Sequence, residues 1–412
     1  MNYIPVPLNI DEIKILKIEQ DSNDDIIVTV ESAYKKTNCK ACGKKITKVH
    51  DYGKYIYIRH LPLFDNPVYL KIKPVRYKCE SCDNSPTTTE SFIWCNVTTR
   101  TTKQYDKYIL RSLISSTILD VTKKENINYD IVKSILDSNI SISINWDDYS
   151  GINLLGLDEI SLKKGHKDFV VIVSTKINGK IGVIAILKDR KKETVKEFLS
   201  TIPENIRTKI KFVCTDMYDG FVNAVTEIFD SKVVVVIDRF HVAKLYRTVL
   251  DNTRKKELQR LKQDLSKDEY SKFQGAMWAL RKNPDEATDE EKTILKHLFK
   301  YSPLLLMIYN LTNELTTIFN SALQFREANK KINKWIAKIK KTKNHYFDKF
   351  LKTFKKYKHN ILNYFKKRQT SGFVEGLNNK IKVIKRRCYG IFVIENLFRR
   401  IKLDLTGYSK YI

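Results

Sequence analysis

Residues 211–238, KFVCTDMYDGFVNAVTEIFDSKVVVVID, decide the fold class. KFVCTD is a short apolar run closed by Asp216, and KVVVVID is another, closed by Asp238. Between them, GFVNAVTEIFD carries apolar residues at helical spacing. A strand, a helix and a strand in that order need a crossover, so the two strands pair in parallel. Upstream, KETVKEFLSTIP reads as an amphipathic helix ended near Pro203. Three apolar runs precede it: INLLGLDEISL, KDFVVIVSTK and GKIGVIAILKD. The last two flank the hairpin turn INGK, with Asn178 and Gly179, so these three strands pair as a meander. Three strands, helix, strand, helix, strand is the order of an RNase H-like α/β fold. Its sheet carries acids on the first and fourth strands.

Asp158, closing LLGLD, and Asp216 occupy those two positions. A carboxylate ending a Val/Ile-rich strand is costly unless it is paired, solvated or metal-bound. Capping the next helix is the plainer role for each, and Asp219 in TDMYDGF competes with Asp216. Glu375 is the third acid, in TSGFVEGLNNKIKVIKRR. On a helix starting near Ser371, Phe373, Leu377, Ile381 and Ile384 form one apolar stripe. Glu375 lies roughly 200° around that helix from Phe373 and Leu377, away from the stripe. Asn379, Lys382 and Arg386 share its side, and Arg387 follows, which makes these four candidate DNA contacts. The plainer reading of Glu375 is an acid favoured by the helix dipole on a solvated face. Taken together, Asp158, Asp216 and Glu375 suggest a site for two divalent metals and a phosphodiester. Asp238 and His241, in DRFHV, are secondary candidates. They either support the acids and orient a water or phosphate, or form a salt-bridged corner.

From His241 to Glu375 the chain reads almost wholly helical. NKWIAKI places Ile332, Trp335, Ile336 and Ile339 at helical spacing, and HYFDKFLKTFKKYKHNILNYF does the same with Phe347, Phe350, Leu351, Phe354 and Ile361. Aromatic stripes at that spacing are core, with lysines on the solvated side. PDEATDEE (284–291) reads as an exposed turn between helices.

A chain of 412 residues exceeds one compact core, so several domains are expected. The formal net charge of +28 draws polyanions, with nucleic acid ahead of anionic membrane. No apolar run approaches the roughly 20 residues of a membrane-spanning helix. The start, MNYIPVPLNIDEIK, lacks the pattern of a signal peptide. A cytoplasmic protein without membrane association follows as the expectation. Seven cysteines, an odd number, argue against a disulfide framework.

Four of the seven form two CxxC knuckles, Cys39/Cys42 and Cys79/Cys82, with Gly43 suited to a tight turn. Zinc takes about four thiolate or imidazole ligands in a tetrahedron, and a CxxC turn presents two. Four unrelated buried cysteines are the bland alternative. Thirty-six residues separate the pairs, and YIYIRHLPL and PVYLKIKPVRYKC within them alternate like hairpin strands. A zinc ribbon with a two-stranded insert fits, with His50 and His60 as surface or stacking residues rather than ligands. Cys95, Cys214 and Cys388 read as small half-buried apolar groups. Next, VTTRTTKQYDKYILRSLISS gives an amphipathic helix. In VTKKENINYDIVKSILDSN, Thr122 and Glu125 match a capping box, a break falls at Asn126–Asn128, and Ile131, Val132, Ile135 and Leu136 line a further helix. This is a helix-turn-helix that places its second helix in the major groove, or a plain three-helix packing module.

These motifs together resemble the ISL-three family of insertion-sequence transposases, one of the bacterial DDE families. The resemblance covers nearly the whole chain. It rests on the two knuckles, on LGLDEISLKKGHKDF, VCTDMYDGF and VVVVIDRFHV, and on TSGFVEGLNNKIKVIKRRCYGIF. It implies a multidomain α/β chain: a zinc ribbon over 1–95, a helix-turn-helix over 96–148 and an RNase H-like core beginning over 149–247. A helical insertion follows over 248–364, and the core ends over 365–412. It implies Asp158, Asp216 and Glu375 as ligands of Mg²⁺ or Mn²⁺, and Cys39, Cys42, Cys79 and Cys82 as ligands of a structural Zn²⁺. Its partners are double-stranded DNA, as element ends and as target, and further copies of the chain, at least a homodimer, in a synaptic complex on the bacterial nucleoid. The expected activity is cleavage at terminal inverted repeats and strand transfer. The alternatives are a DNA-binding regulator whose core no longer cuts, and a structure-selective nuclease.

Overall fold

The computed structural model describes residues 7–163, 167–229, 232–368 and 372–411. The chain divides into two compact units, one formed by the residues up to Ile142 together with Ile384 onward, the other by Ser143–Val383.

The second unit is built on a mixed five-stranded sheet. Strands β1 (Leu154–Lys163), β2 (Lys167–Ile177) and β3 (Lys180–Leu187) form the antiparallel meander. Asn178 and Gly179 turn β2 into β3 with φ of 49° and 80°, the left-handed pair that such a hairpin requires. Helix α1 (Lys192–Ser200) leads to β4 (Phe212–Thr215), and α2 (Asp219–Phe229) leads to β5 (Val234–Ile237). Both later strands join in parallel, giving the order β3-β2-β1-β4-β5. One face of the sheet buries Leu155, Leu157, Val171 and Val173 against Val195, Leu199, Phe221 and Val225 of α1 and α2. The other buries Leu154, Cys214 and Val236 against a helical layer that begins with α3 (Arg239–Asp264). Helices Asp289–Tyr301, Pro303–Asn320, Phe325–Lys341 and Asp348–Leu362 continue that layer. Ile332, Trp335, Ile339, Phe347, Phe350, Phe354 and Ile361 are buried in it, while Ile336 and Leu351 are only half-buried.

The first unit holds more sheet than the repeat of alternating residues implies. Strands Ile56–Leu63 and Asn66–Ile72 do form a hairpin, but they sit inside a six-stranded sheet with Ile13–Gln20, Ile26–Ser32, Thr101–Thr102 and Cys95–Asn96. The long spacing between the knuckles is therefore a piece of sheet core, with Ile58, Leu70 and Ile72 buried. His60 is buried, donating to or accepting from Thr102 Oγ1 at 2.9 Å, and burial lowers its pKa to about 4. That corrects its expected surface position; His50 is exposed as expected.

Three helices follow, Lys103–Leu113, Ile118–Glu125 and Tyr129–Asn139. The middle helix starts earlier than expected. Thr117 and Asp120 form its capping box, and Thr122 and Glu125 lie inside it. T-x-x-D serves the same two orphan amides as T-x-x-E. Asn126, at φ 48°, ends that helix, and Asn128 caps the next. Val132, Ile135 and Leu136 are buried.

Residues after Ile384 pack with these helices rather than with the sheet bearing the acids. Arg400, on helix Ile394–Tyr411, donates to the carbonyls of Leu113 and Ser116 at 3.0 and 2.7 Å. Gly407 brings that helix so close that a Cβ there would meet Ile114 Cδ1 at 2.8 Å. Arg387 pairs with buried Asp404, which also accepts from Ser115 N at 3.1 Å. Among the described residues, no helix is long and apolar enough to cross a membrane.

Candidate metal centres

In the parallel register Leu157 pairs with Thr215, and Thr215 with Ile237. The next residue on each strand is an aspartate, so Asp158, Asp216 and Asp238 stand in a row. Asp216 and Asp238 follow the ends of their strands. Asp158 does not: β1 runs on to Lys163, because EISL keeps pairing with β2. Asp238 is buried and caps α3, accepting from Phe240 N at 3.1 Å. His241 therefore lies in the first turn of α3 rather than on the strand. Its Nδ1 approaches Asp216 Oδ2 at 3.8 Å.

Asp158, Asp216 and His241 form a cluster whose ligand atoms all lie within 4.8 Å of one another. Asp158 Oδ1 accepts from Glu159 N at 2.8 Å, and Oδ2 accepts from Asn378 Nδ2. Asp216 Oδ1 is buried with no hydrogen-bond partner. Burial raises the pKa of both acids, Asp216 to about 7. For Asp216, His241 opposes the rise, while Asp158, Glu159 and Asp238 add to it. A buried carboxylate oxygen without a donor, beside a second carboxylate, is an arrangement that a bound cation relieves. The residues present fit a divalent metal.

Glu375 lies in the first turn of helix α4 (Gly372–Arg387) and is half-buried. It is not part of the 4.8 Å cluster. Asn378, one turn further along on the same side, touches Asp158 and is buried. Sequence reasoning passed over Asn378 in favour of Asn379, which is exposed. The signal was there: i and i+3 share a helix face, so the Asn one turn after the acid turns with it. Leu377, Ile381 and Ile384 are buried as the stripe requires. The expected helix start at Ser371 and the side chain of Phe373 lie outside the described residues. Lys382 and Arg386 are exposed, whereas the guanidinium of Arg387 is taken by Asp404. Asp219 is turned away from the cluster, bound by Lys356 and by Tyr357 Oη at 2.6 Å.

The second cluster is the four cysteines. Cys39 and Cys82 sulfurs lie 3.9 Å apart, as do those of Cys42 and Cys79. A tetrahedron with Zn–S bonds of about 2.3 Å has edges of about 3.8 Å, so the four sulfurs fit zinc. Hairpin Thr37–Asn38 with Lys45–Ile46 carries the first knuckle, and Gly43, at φ 73°, supplies the tight turn. Backbone amides of Cys42 and Ala41 lower the Cys39 thiol to about 6, while hydrogen bonds from neighbouring thiols raise Cys82 to about 12.

Comparison with known families gives the class first. A family described as a transposase, of the ISL3 DDE type, matches residues 155–401, and the zinc-finger of transposase IS204/IS1001/IS1096/IS1165 matches residues 35–82. The chain belongs to the ISL3 family of DDE transposases. It is 28% identical over 396 residues to the transposase for insertion sequence element IS1001 of Bordetella parapertussis, covering 95% of this chain and 94% of that one. It is 22% identical over 281 residues to the transposase for IS1557 of Mycobacterium tuberculosis, covering 64% and 62%.

Proposed function

We propose that this chain binds the terminal inverted repeats of an insertion sequence and carries out metal-dependent strand cleavage and transfer. One observation carries the reading: Asp158 and Asp216 side by side on neighbouring parallel strands, with an unpartnered buried oxygen on Asp216 and the Glu375 helix anchored by Asn378. The sheet order supports an RNase H-like core with a helical insertion after β5. Asp158, Asp216 and Glu375 are the proposed ligands, and an all-oxygen set suits Mg²⁺ or Mn²⁺. Bound there, two such ions would make an attacking hydroxyl more acidic and stabilise the leaving oxygen. Asn378 holds Asp158 in one rotamer, and His241 sits where it can take or return a proton near Asp216. Exposed Lys382 and Arg386 face phosphates; Arg387 is a structural residue. The four cysteines hold a structural Zn²⁺. Helix Tyr129–Asn139 is the proposed major-groove helix of a helix-turn-helix, and at least two copies of the chain assemble because two ends must be joined.

Asp216→Ala and Glu375→Gln test this reading on a labelled element end. Each variant is expected to keep end binding and to lose cleavage by on the order of 10³-fold or more. Wild-type cleavage in either one overturns the assignment of that acid.

A further inference from the structure

The zinc-binding unit carries a surface that neither metal centre uses. On strand Asn66–Ile72 side chains alternate between the core and the outer face, and on Ile56–Leu63 they do so only up to Ile58, since Arg59 and His60 are also buried. Ile58, Leu70 and Ile72 point inward and are buried. Tyr57 and Lys71 pair across the strands on the other face. Tyr55 and Lys73 extend that face just beyond the two strands, and Tyr52 continues it. Lys71 Nζ lies 5.0 Å from the Tyr55 ring and 5.8 Å from the Tyr57 ring. Lys73 Nζ lies 5.5 Å from Tyr55 and 6.0 Å from Tyr52. The result is a ladder, Tyr57–Lys71–Tyr55–Lys73–Tyr52. Its tyrosine residues are 46%, 50% and 60% exposed.

We infer that this ladder is a stacking platform for an unpaired DNA strand. The inference rests on the DNA-directed reading above and adds the form of DNA and the residues that take it. Two arguments carry it. The first is charge. Residues 33–78 contain twelve Lys or Arg and two Asp, and one of those, Asp51, is held by Arg76. Glu19, whose field reaches Lys71, is itself held by Lys17. The local surplus suits a phosphate backbone. The second is spacing. Tyr55 and Tyr57 are two residues apart on extended chain, about 6.8 Å along it. Stacked duplex nucleotides step by about 3.4 Å and cover their own faces. An unstacked strand, with bases spread to about twice that step, meets both rings, and the intervening lysines meet its phosphates. Acids Glu19, Asp21 and Asp25 line the surface beside Tyr57, so the strand runs from Tyr57 toward Tyr52.

The test uses the full-length, zinc-loaded chain. Fluorescence anisotropy is read with a labelled single-stranded oligonucleotide of mixed sequence and with its duplex. Tyr55→Leu with Tyr57→Leu is expected to weaken single-strand binding about tenfold or more, with duplex binding changed less than about twofold. Tyr55→Phe with Tyr57→Phe keeps the rings and is expected to bind as wild type. Lys71→Gln with Lys73→Gln lowers the salt slope for the single strand by roughly 0.7 per lysine. Zinc content unchanged in each variant shows that the ribbon is folded. Equal losses on both DNA forms, no loss on either, or a Phe variant as weak as the Leu variant overturns the inference. A wild-type chain that binds neither DNA form removes the DNA-directed reading itself.

Discussion

The two candidate metal centres are built on opposite plans. The four cysteines come from two short turns, each supplying two sulfurs, and the turns meet with sulfurs of one 3.9 Å from sulfurs of the other. The acid cluster draws Asp158, Asp216 and His241 from three separate elements, and a fourth, α4, reaches it through Asn378. The sulfur set is complete and closed, as a structural zinc needs. The acid set keeps an unpartnered buried oxygen on Asp216, and Glu375 is not among its members. Two short local turns brought face to face make the first, and sheet register makes the second.

Removing zinc tests the first plan most severely. Structural zinc contributes on the order of 10 kcal/mol to a small module. Chelation, or Cys39→Ser, is expected to open residues 35–82 to limited proteolysis while 143–383 stay protected. Fragment masses read this directly. Uniform protection after zinc loss would break the contrast between the two centres.

Arg387→Ala probes the segment that leaves the acid cluster for the first unit. Asp404 is buried and loses one charge partner but keeps Arg400 at 3.7 Å and the Ser115 amide. The expected cost is about 3 kcal/mol in urea unfolding, the low end for breaking a buried pair. Lys382→Gln, on an exposed side chain, should stay within about 0.5 kcal/mol of wild type. Equal effects would mean that Arg387 is as free as Lys382.

Asn378→Ala asks whether the open centre depends on its supports. Losing a side chain that orients a metal ligand typically costs about 10–100-fold. Cleavage should fall by that much with end binding kept, and Asn379→Ala should change little. A silent Asn378→Ala would leave α4 without a link to the acids.

The smallest effect is one of pH. Asp216 has a folded pKa of about 7, above the roughly 3.9 of an unfolded Asp. Its neutral form is favoured by the fold, so metal-free protein is most stable below the unfolded value and loses stability as pH rises through about 7. Asp216→Asn mimics the neutral form. It should match wild type in melting temperature at acid pH and melt a few degrees higher at mildly alkaline pH without metal. A constant difference across that range would show that the carboxylate is not strained by burial.

The strand order of the catalytic unit was legible because each apolar run stops at Gly, Asp or Pro and the helices between keep a clear period. CxxC knuckles were legible because their geometry is contained in four residues. Asp158 closes the apolar run LLGLD but not its strand, because the half-polar EISL that belongs to the same strand keeps pairing with β2. Thr122 and Glu125 lost the capping role to Thr117 and Asp120 because both pairs have the same spacing and only packing chooses between them. Residues after Ile384 read as an appendage of the catalytic helix, yet Arg400, Asp404 and Gly407 dock on helices nearly 300 positions earlier, a pairing that no local pattern encodes.

The sequence by itself determined the strands and helices around the five-stranded sheet, the two CxxC knuckles and the family, since these depend on residue types and short spacings. Tertiary structure alone decided which acids meet, that His241 and Asn378 join them, and that Arg387 is spent on Asp404. Sheet register and helix docking set distances between residues far apart in the chain, and those distances are what a metal or a phosphate reads.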